Sequence, residues 1–292
     1  MNKEMELVEK LDSEFRVRTY IGKAAMAVTG LAVIWSIFQI FAAGSGVFDA
    51  ISLRAWHMMF LLVVTFLLYP ATKKGKRVLK FPSVFDIILI LLSIASTGYL
   101  LASYKTIVLR GGFLILPDYI FGAIGILMIF EAARRVVGNL AILALLFFLY
   151  NFFGPMVPGI FGHGGFSIKR IIDYLFYGSE GVFGIAIGVS ATFVFLFILF
   201  GAFLSRSGFS QFINDFALTI AGRSPGGPAK VAVIASSLMG MINGSALANV
   251  ATTGTLTIPL MKKNGYKARF AAAVEAVAST GGQFAPPIMG AA

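Results

Sequence analysis

Between Lys230 and Lys263 runs a segment in which residues 231–261 carry no charge but many side-chain oxygens. Asn243-Gly244-Ser245 stands near its middle, followed by Asn249, Thr252-Thr253-Gly254 and Pro259. Amides and hydroxyls in this pattern can ligate an ion or hydrogen-bond a polar substrate without adding charge. They are not equipped for acid–base or nucleophilic catalysis. No nucleophile–base pair or phosphate-binding loop stands elsewhere, and His57 and His163 are too far apart in sequence to suggest a metal cluster. Further on, Ser279-Thr280-Gly281-Gly282 is a second small, polar group, and Glu275 is a lone acid in an apolar stretch. An acid so placed is a functional candidate by default. The plain alternatives are helix packing for the small polar residues and, for Glu275, a pairing with a loop arginine or lysine.

These groups need elements to hold them. A bilayer-crossing helix takes about 20 apolar residues, so the uncharged segment is too long for one crossing and too short for two. The Asn-Gly-Ser group falls where a turn would be. The simplest geometry is a re-entrant helical hairpin over 228–263 with two short arms. Broken backbone at membrane depth is tolerated where protein or a water-filled cavity surrounds it, and such breaks are where transporters hold ions and substrates. Residues 268–280 predict a helix rich in small residues. Gly281-Gly282 and Pro286-Pro287 then predict an interruption, so Ser279, Thr280, Gly281 and Gly282 form a second break.

The composition sets the surroundings. The 292 residues are 58% hydrophobic and 13% charged, with mean hydropathy +0.87, which excludes an ordinary soluble domain and predicts an all-α polytopic membrane protein. Spans are expected at 24–43, 55–70, 84–104, 118–133, 138–153 and 182–204. Interfacial helices are expected at 167–177 and 209–221. The first 20 residues read as a cytosolic amphipathic lead, with Leu7, Val8, Leu11 and Phe15 at helical spacing. The net charge of +11 sits mostly in short loops, so it reports membrane topology and not nucleic-acid binding. With the N-terminus inside, the basic loops at 73–80, 134–135, 206–230 and 262–269 all fall inside, provided that the 230–263 segment returns to the face it left. The absence of cysteine excludes disulfides and thiolate metal sites, and no transition-metal site is expected. The first span reads as an uncleaved anchor, and no cleaved signal peptide is expected. Glu131 three and four residues before Arg134 and Arg135 reads as a helix-end ion pair. His57 beside Trp56 reads as interfacial, and His163 as a surface residue of a glycine loop.

Several stretches resemble one family. GGPAKVAV at 226–233, NGSALANVATTGTLTIPLMKKNGY at 243–266 and AVEAVASTGGQFAPPIMGAA at 273–292 are similar to the large membrane subunit of tripartite ATP-independent periplasmic (TRAP) transporters. FEAARRVVG at 130–138, GPMVPGIFGHGG at 154–165 and GVSATFVFLFILFGAFL at 188–204 resemble the form in which the small four-helix subunit is fused to the large one. The resemblance implies a carrier in the bacterial inner membrane that imports organic acids, is driven by Na+, and receives substrate from a periplasmic solute-binding protein. It implies an elevator-type inverted repeat, of which this chain holds the first half. The domain order is then a lead at 1–23, small-subunit-like helices at 24–153, a periplasmic loop at 154–181 and the start of the large subunit at 182–292. The apolar end at Ala292 suggests a longer protein. The family usually has Ser-Gly-Ser at the hairpin tip, where this chain has Asn243-Gly244-Ser245. No cofactor other than the coupling ion is implied, and no enzymatic activity. The rival readings are a passive channel, an intramembrane enzyme lacking its acid–base partners, and a structural scaffold.

Overall fold

The structure, a computed structural model, describes residues 17–72, 78–286 and 289. Most of the amphipathic lead, the KKGKR stretch at 73–77 and Pro287 lie outside them. The described chain is an all-α polytopic membrane protein, with six helices long and apolar enough to cross a bilayer. Its contacts divide it into two units, residues 1–188 and 189–292.

In the first unit, α1 (Lys23–Ser45), α2 (Ala50–Leu68), α3 (Val84–Leu109), α4 (Leu116–Val136) and α5 (Asn139–Phe153) supply the long helices. Local chemistry fixes where they begin. The Asp49 carboxylate accepts from Ser52 N and caps α2, so that helix starts earlier than the apolar run predicts. Ser83 caps α3 in the same way, each cap satisfying an amide that the helix leaves unpaired. Asp118 accepts from Ile115 N at 2.7 Å and closes the start of α4. Phe66, Phe176, Phe183, Leu62 and Leu100 form the core. The helix expected over 167–177 is present as α6 (Ile168–Ile172), which widens without interruption into a π turn at Asp173–Tyr177. Residues 19 and 20 are not helical: β1 (Thr19–Tyr20) pairs in parallel with β2 (Val78–Leu79). His57 is not interfacial. It is 1% exposed, with its ring 5.3 Å from that of Trp35, because α1 packs its aromatic side against α2.

Several charges in this unit are held in ion pairs. Asp86 meets Arg18 at 2.6 Å and Arg135 at 2.7 Å. Arg135 and Arg134 both reach Glu131, at 2.8 and 2.7 Å, as the i+3 and i+4 spacing predicts.

The second unit begins within a continuous helical run, in which α7 (Ile185–Val189) passes through a π turn at Ser190–Val194 into α8 (Phe195–Arg206). The amphipathic α9 (Phe209–Ala221) follows. Then come α10 (Gly227–Asn243), α11 (Ala246–Lys263) and α12 (Ala268–Gly282). The predicted turn is present. Gly244 adopts a left-handed conformation, φ 60°, which glycine reaches without a Cβ clash. Ser245 is extended and caps α11 through Ala248 N. The helices α10 and α11 are therefore the arms of a hairpin with a two-residue tip. Pro259 lies inside α11 without ending it. The helix α12 packs along both arms. The second break falls later than the sequence suggests. Ser279, Thr280, Gly281 and Gly282 are the last turn of α12, and the helix stops at Gln283. Two glycines cost a helix only about 1 kcal/mol each, and packing of Ser279 and Gly282 against the hairpin keeps the turn helical.

Candidate functional site

Glu275 is the centre of the most polar interior in the second unit. It projects from the middle of α12 and is fully buried. Its Oε1 accepts from Thr253 Oγ1 at 2.6 Å, Ser279 Oγ at 3.0 Å and Ser236 Oγ at 3.3 Å. Its Oε2 accepts from Thr257 Oγ1. Four hydroxyls from α10, α11 and α12 thus converge on one carboxylate. The i+4 spacing of Glu275 and Ser279 puts both on one side of α12, and the same spacing puts Thr253 and Thr257 together on α11.

Asn249 extends the cluster toward the hairpin tip. It is fully buried, its Nδ2 donates to Ser236 O at 2.7 Å, and its main-chain oxygen accepts from Thr253 Oγ1 at 2.9 Å. Its Oδ1 is buried and has no hydrogen-bond partner among the described residues. Glycine permits this close assembly. A Cβ on Gly282 would stand 2.7 Å from Asn249 Nδ2, and one on Gly254 would stand 3.1 Å from Glu275 Cγ.

The structure therefore brings together Asn249, Thr253, Gly254, Glu275, Ser279 and Gly282 from the sequence-derived set. It leaves Thr252, Thr280 and Gly281 outside the cluster. Thr252 and Thr280 return their hydroxyls to their own helices, and Gly281 is exposed. Asn243 is the last residue of α10, and Gly244 and Ser245 form the tip. The pairing of Glu275 with a loop arginine or lysine is not seen: every ion pair among the described residues lies between Arg18 and Arg135.

Ser236 and Thr257 were not singled out by sequence. The signal for Ser236 was its place eight residues before Gly244, facing Thr253 nine residues after it across a two-residue turn. A groove of about 890 Å³ in the same unit is lined by Val233, Ile234, Phe270, Val274 and Val277, with Lys230 beside them. It is apolar and offers a carboxylate or an ion little to bind. The chemistry of this unit is in its packed interior.

The family model described as Tripartite ATP-independent periplasmic transporter, DctM component, matches residues 124–292. The chain is 34% identical over 121 residues to the C4-dicarboxylate TRAP transporter large permease protein DctM of Pseudomonas aeruginosa, covering 41% of this chain and 27% of that protein. It is 35% identical over 92 residues to the 2,3-diketo-L-gulonate TRAP transporter large permease protein YiaN of Escherichia coli, covering 32% and 21%. It is 37% identical over 91 residues to the isethionate TRAP transporter permease protein DctMQ of Oleidesulfovibrio alaskensis, covering 31% and 14%. The chain thus spans about a fifth to a third of the length of the first curated relatives it matches. No solved structure matches it.

Proposed function

The chain belongs to the DctM-component family of tripartite ATP-independent periplasmic transporters, and from that premise we propose that it is the membrane part of a sodium-coupled importer of small organic anions. Three relatives are named for C4-dicarboxylate, 2,3-diketo-L-gulonate and isethionate, all small organic anions. A periplasmic solute-binding protein delivers the substrate, and the bacterial inner membrane houses the carrier with its N-terminus in the cytoplasm. Residues 24–153 act as the small-subunit portion, fused to a large-subunit portion that starts near residue 182. The protein moves solute and does not transform it.

The observation that carries the reading is the broken hairpin α10–α11 closed over a buried, oxygen-rich interior. Helix ends at a break expose carbonyls that favour a cation and amides that favour a carboxylate. The interior fits sodium by its chemistry. It is all oxygen, it contains a carboxylate, and the Asn249 Oδ1 acceptor lacks a donor. Asn249, Ser236, Thr253, Thr257, Glu275 and Ser279 would hold the ion there, and the tip residues Asn243, Gly244 and Ser245 would close over it. A cation bound there would couple solute movement to the sodium gradient. The chain's own residues neutralise the ion, exclude water and tie its presence to the hairpin's position.

The test is uptake of a radiolabelled C4-dicarboxylate into proteoliposomes by the full-length carrier with its binding protein. Uptake should follow an inward sodium gradient and need no ATP. Uptake that ignores that gradient would overturn the proposal, and currents without a binding protein would favour a channel.

A further inference from the structure

Arg170 on α6 is a cation without a counter-charge: no ion pair among the described residues includes it. Its guanidinium lies 5.5 Å from the centre of the Phe166 ring. Its neighbour Lys169 is in no such pair either, and its ammonium lies 5.6 Å from the centre of the Tyr119 ring. Asp173 is the only acid in the sequence from 167 to 177. Two cations against one acid leave this amphipathic segment with one positive charge in excess.

Beside Arg170 is a cavity of about 340 Å³, lined by Asn151, Phe166, Arg170, Ile171, Tyr174 and Leu175. It exists because Phe166 N donates to Asn151 O at 3.0 Å, which folds the glycine-rich loop back onto the end of α5. Asn151 directs its amide hydrogens to its own helix, donating from Nδ2 to Phe147 O and Phe148 O at 3.0 and 3.1 Å. Tyr174 is 58% exposed, and its hydroxyl makes no hydrogen bond among the described residues. Steps of four residues back from Asn151 reach Phe147 and Leu143 on the same side of α5, with Leu146 next to them. All three are exposed. An apolar strip about 12 Å long, at about 1.5 Å per residue, thus leads away from the cavity.

The groove between α4 and α5 makes a useful contrast. It also contains an arginine, Arg134, but Glu131 already holds that guanidinium through both oxygens, at 2.7 and 2.8 Å. Its charge is met from within the fold. The charge of Arg170 is not.

We propose that the cavity at Arg170 binds an anionic glycerophospholipid, with its phosphate on the Arg170 guanidinium and the Tyr174 hydroxyl and its acyl chains along Leu143, Leu146 and Phe147. A guanidinium presents paired donors that match phosphate oxygens. The single excess charge matches one phosphodiester, whereas a zwitterionic headgroup brings no net charge to meet it. The cavity is at the lower end of the roughly 300–1,000 Å³ of small-ligand sites, which suits a headgroup and the first carbons of its chains. A free phosphate would leave the apolar floor of Ile171 and Leu175 uncovered. Phe166 and Tyr174 at the mouth suit the depth of the headgroups. The lipid touches α5 and α6 together, so it ties the short helix to the long one.

The experiment is a titration of the purified, delipidated full-length protein in detergent with palmitoyl-oleoyl phosphatidylglycerol, read by thermal unfolding and by native mass spectrometry. Phosphatidylglycerol should raise the Tm and persist as a bound adduct. Phosphatidylcholine with the same chains, and glycerol phosphate without chains, should do neither. Arg170→Gln should weaken phosphatidylglycerol binding about tenfold or more, as the loss of a charge-assisted bond implies, and Arg170→Lys should restore part of it. Arg134→Gln, in the other groove, should leave it unchanged. Wild-type affinity in Arg170→Gln overturns the proposal. Equal stabilisation by phosphatidylcholine overturns it too, since the contact is then apolar alone, and a rise reproduced by glycerol phosphate reassigns the site to a soluble anion. Should Arg170→Gln fail to fold, unchanged affinity in Tyr174→Phe overturns it equally. None of these readouts involves sodium or uptake, so the lipid site and the transport reading stand or fall separately.

Discussion

Asp86 on α3 and Glu275 on α12 are both fully buried carboxylates in apolar helical surroundings. Asp86 has two arginines, Arg18 and Arg135, against its two oxygens, and a hydroxyl from Ser83 besides. Glu275 has four hydroxyls and no cation. The first arrangement is closed, since its counter-charges are covalently part of the fold. The second leaves the carboxylate without a counter-charge among the described residues. Buried ion pairs add little net stability over an apolar core, yet breaking one leaves an unpaired charge. The contrast therefore separates a fixed, ion-paired joint from a carboxylate held by hydroxyls alone, and it can be tested by treating both carboxylates alike.

The largest effect is expected at the fixed joint. Asp86→Asn removes the counter-charge of two buried guanidiniums and should destabilise the protein by about 3–5 kcal/mol, read as a large fall in Tm or loss of folded material from detergent extracts. Next is Gly282→Ala, whose methyl would meet Asn249 Nδ2 at 2.7 Å. Overpacking of that kind costs roughly 1–3 kcal/mol, and the sodium-induced rise in Tm should fall with it. Glu275→Gln keeps the shape and changes only charge and donor count, so about 1 kcal/mol or less is expected in sodium-free buffer. A loss equal to that of Asp86→Asn would break the contrast. The smallest effect is at Arg134, whose side chain is half exposed (51%) beside Glu131. Arg134→Ala should cost no more than about 0.5 kcal/mol, with sodium response unchanged.

Much of this architecture is written in local pattern. The apolar runs and their basic boundaries give the spans to within a few residues, because hydropathy and loop charge act over short windows. The hairpin is legible because Gly244 supplies the one conformation that a two-residue tip needs. The interior of the cluster is less so. Thr252 and Thr253 are adjacent and alike in chemistry, but only Thr253 faces Glu275, and that is decided by the rotation of α11 against α12. Ser236 looks like any serine in an apolar helix until the hairpin's register places it opposite Thr253. Thr257 joins through its i+4 relation to Thr253. The burial of His57 is illegible for the same reason: it depends on α1, more than a dozen residues away in sequence. The length of α12 was misjudged because a packed glycine turn stays helical where an exposed one would fray.

The contact between Gly240 on α10 and Gly282 on α12 has a mechanical meaning. A Cβ on Gly240 would come within 2.7 Å of the Gly282 Cα, so the two backbones touch with no side chain between them. Such a seam has no cushion to compress. The first arm cannot tilt toward α12 at this point, and any relative movement of the two helices has to pivot about it.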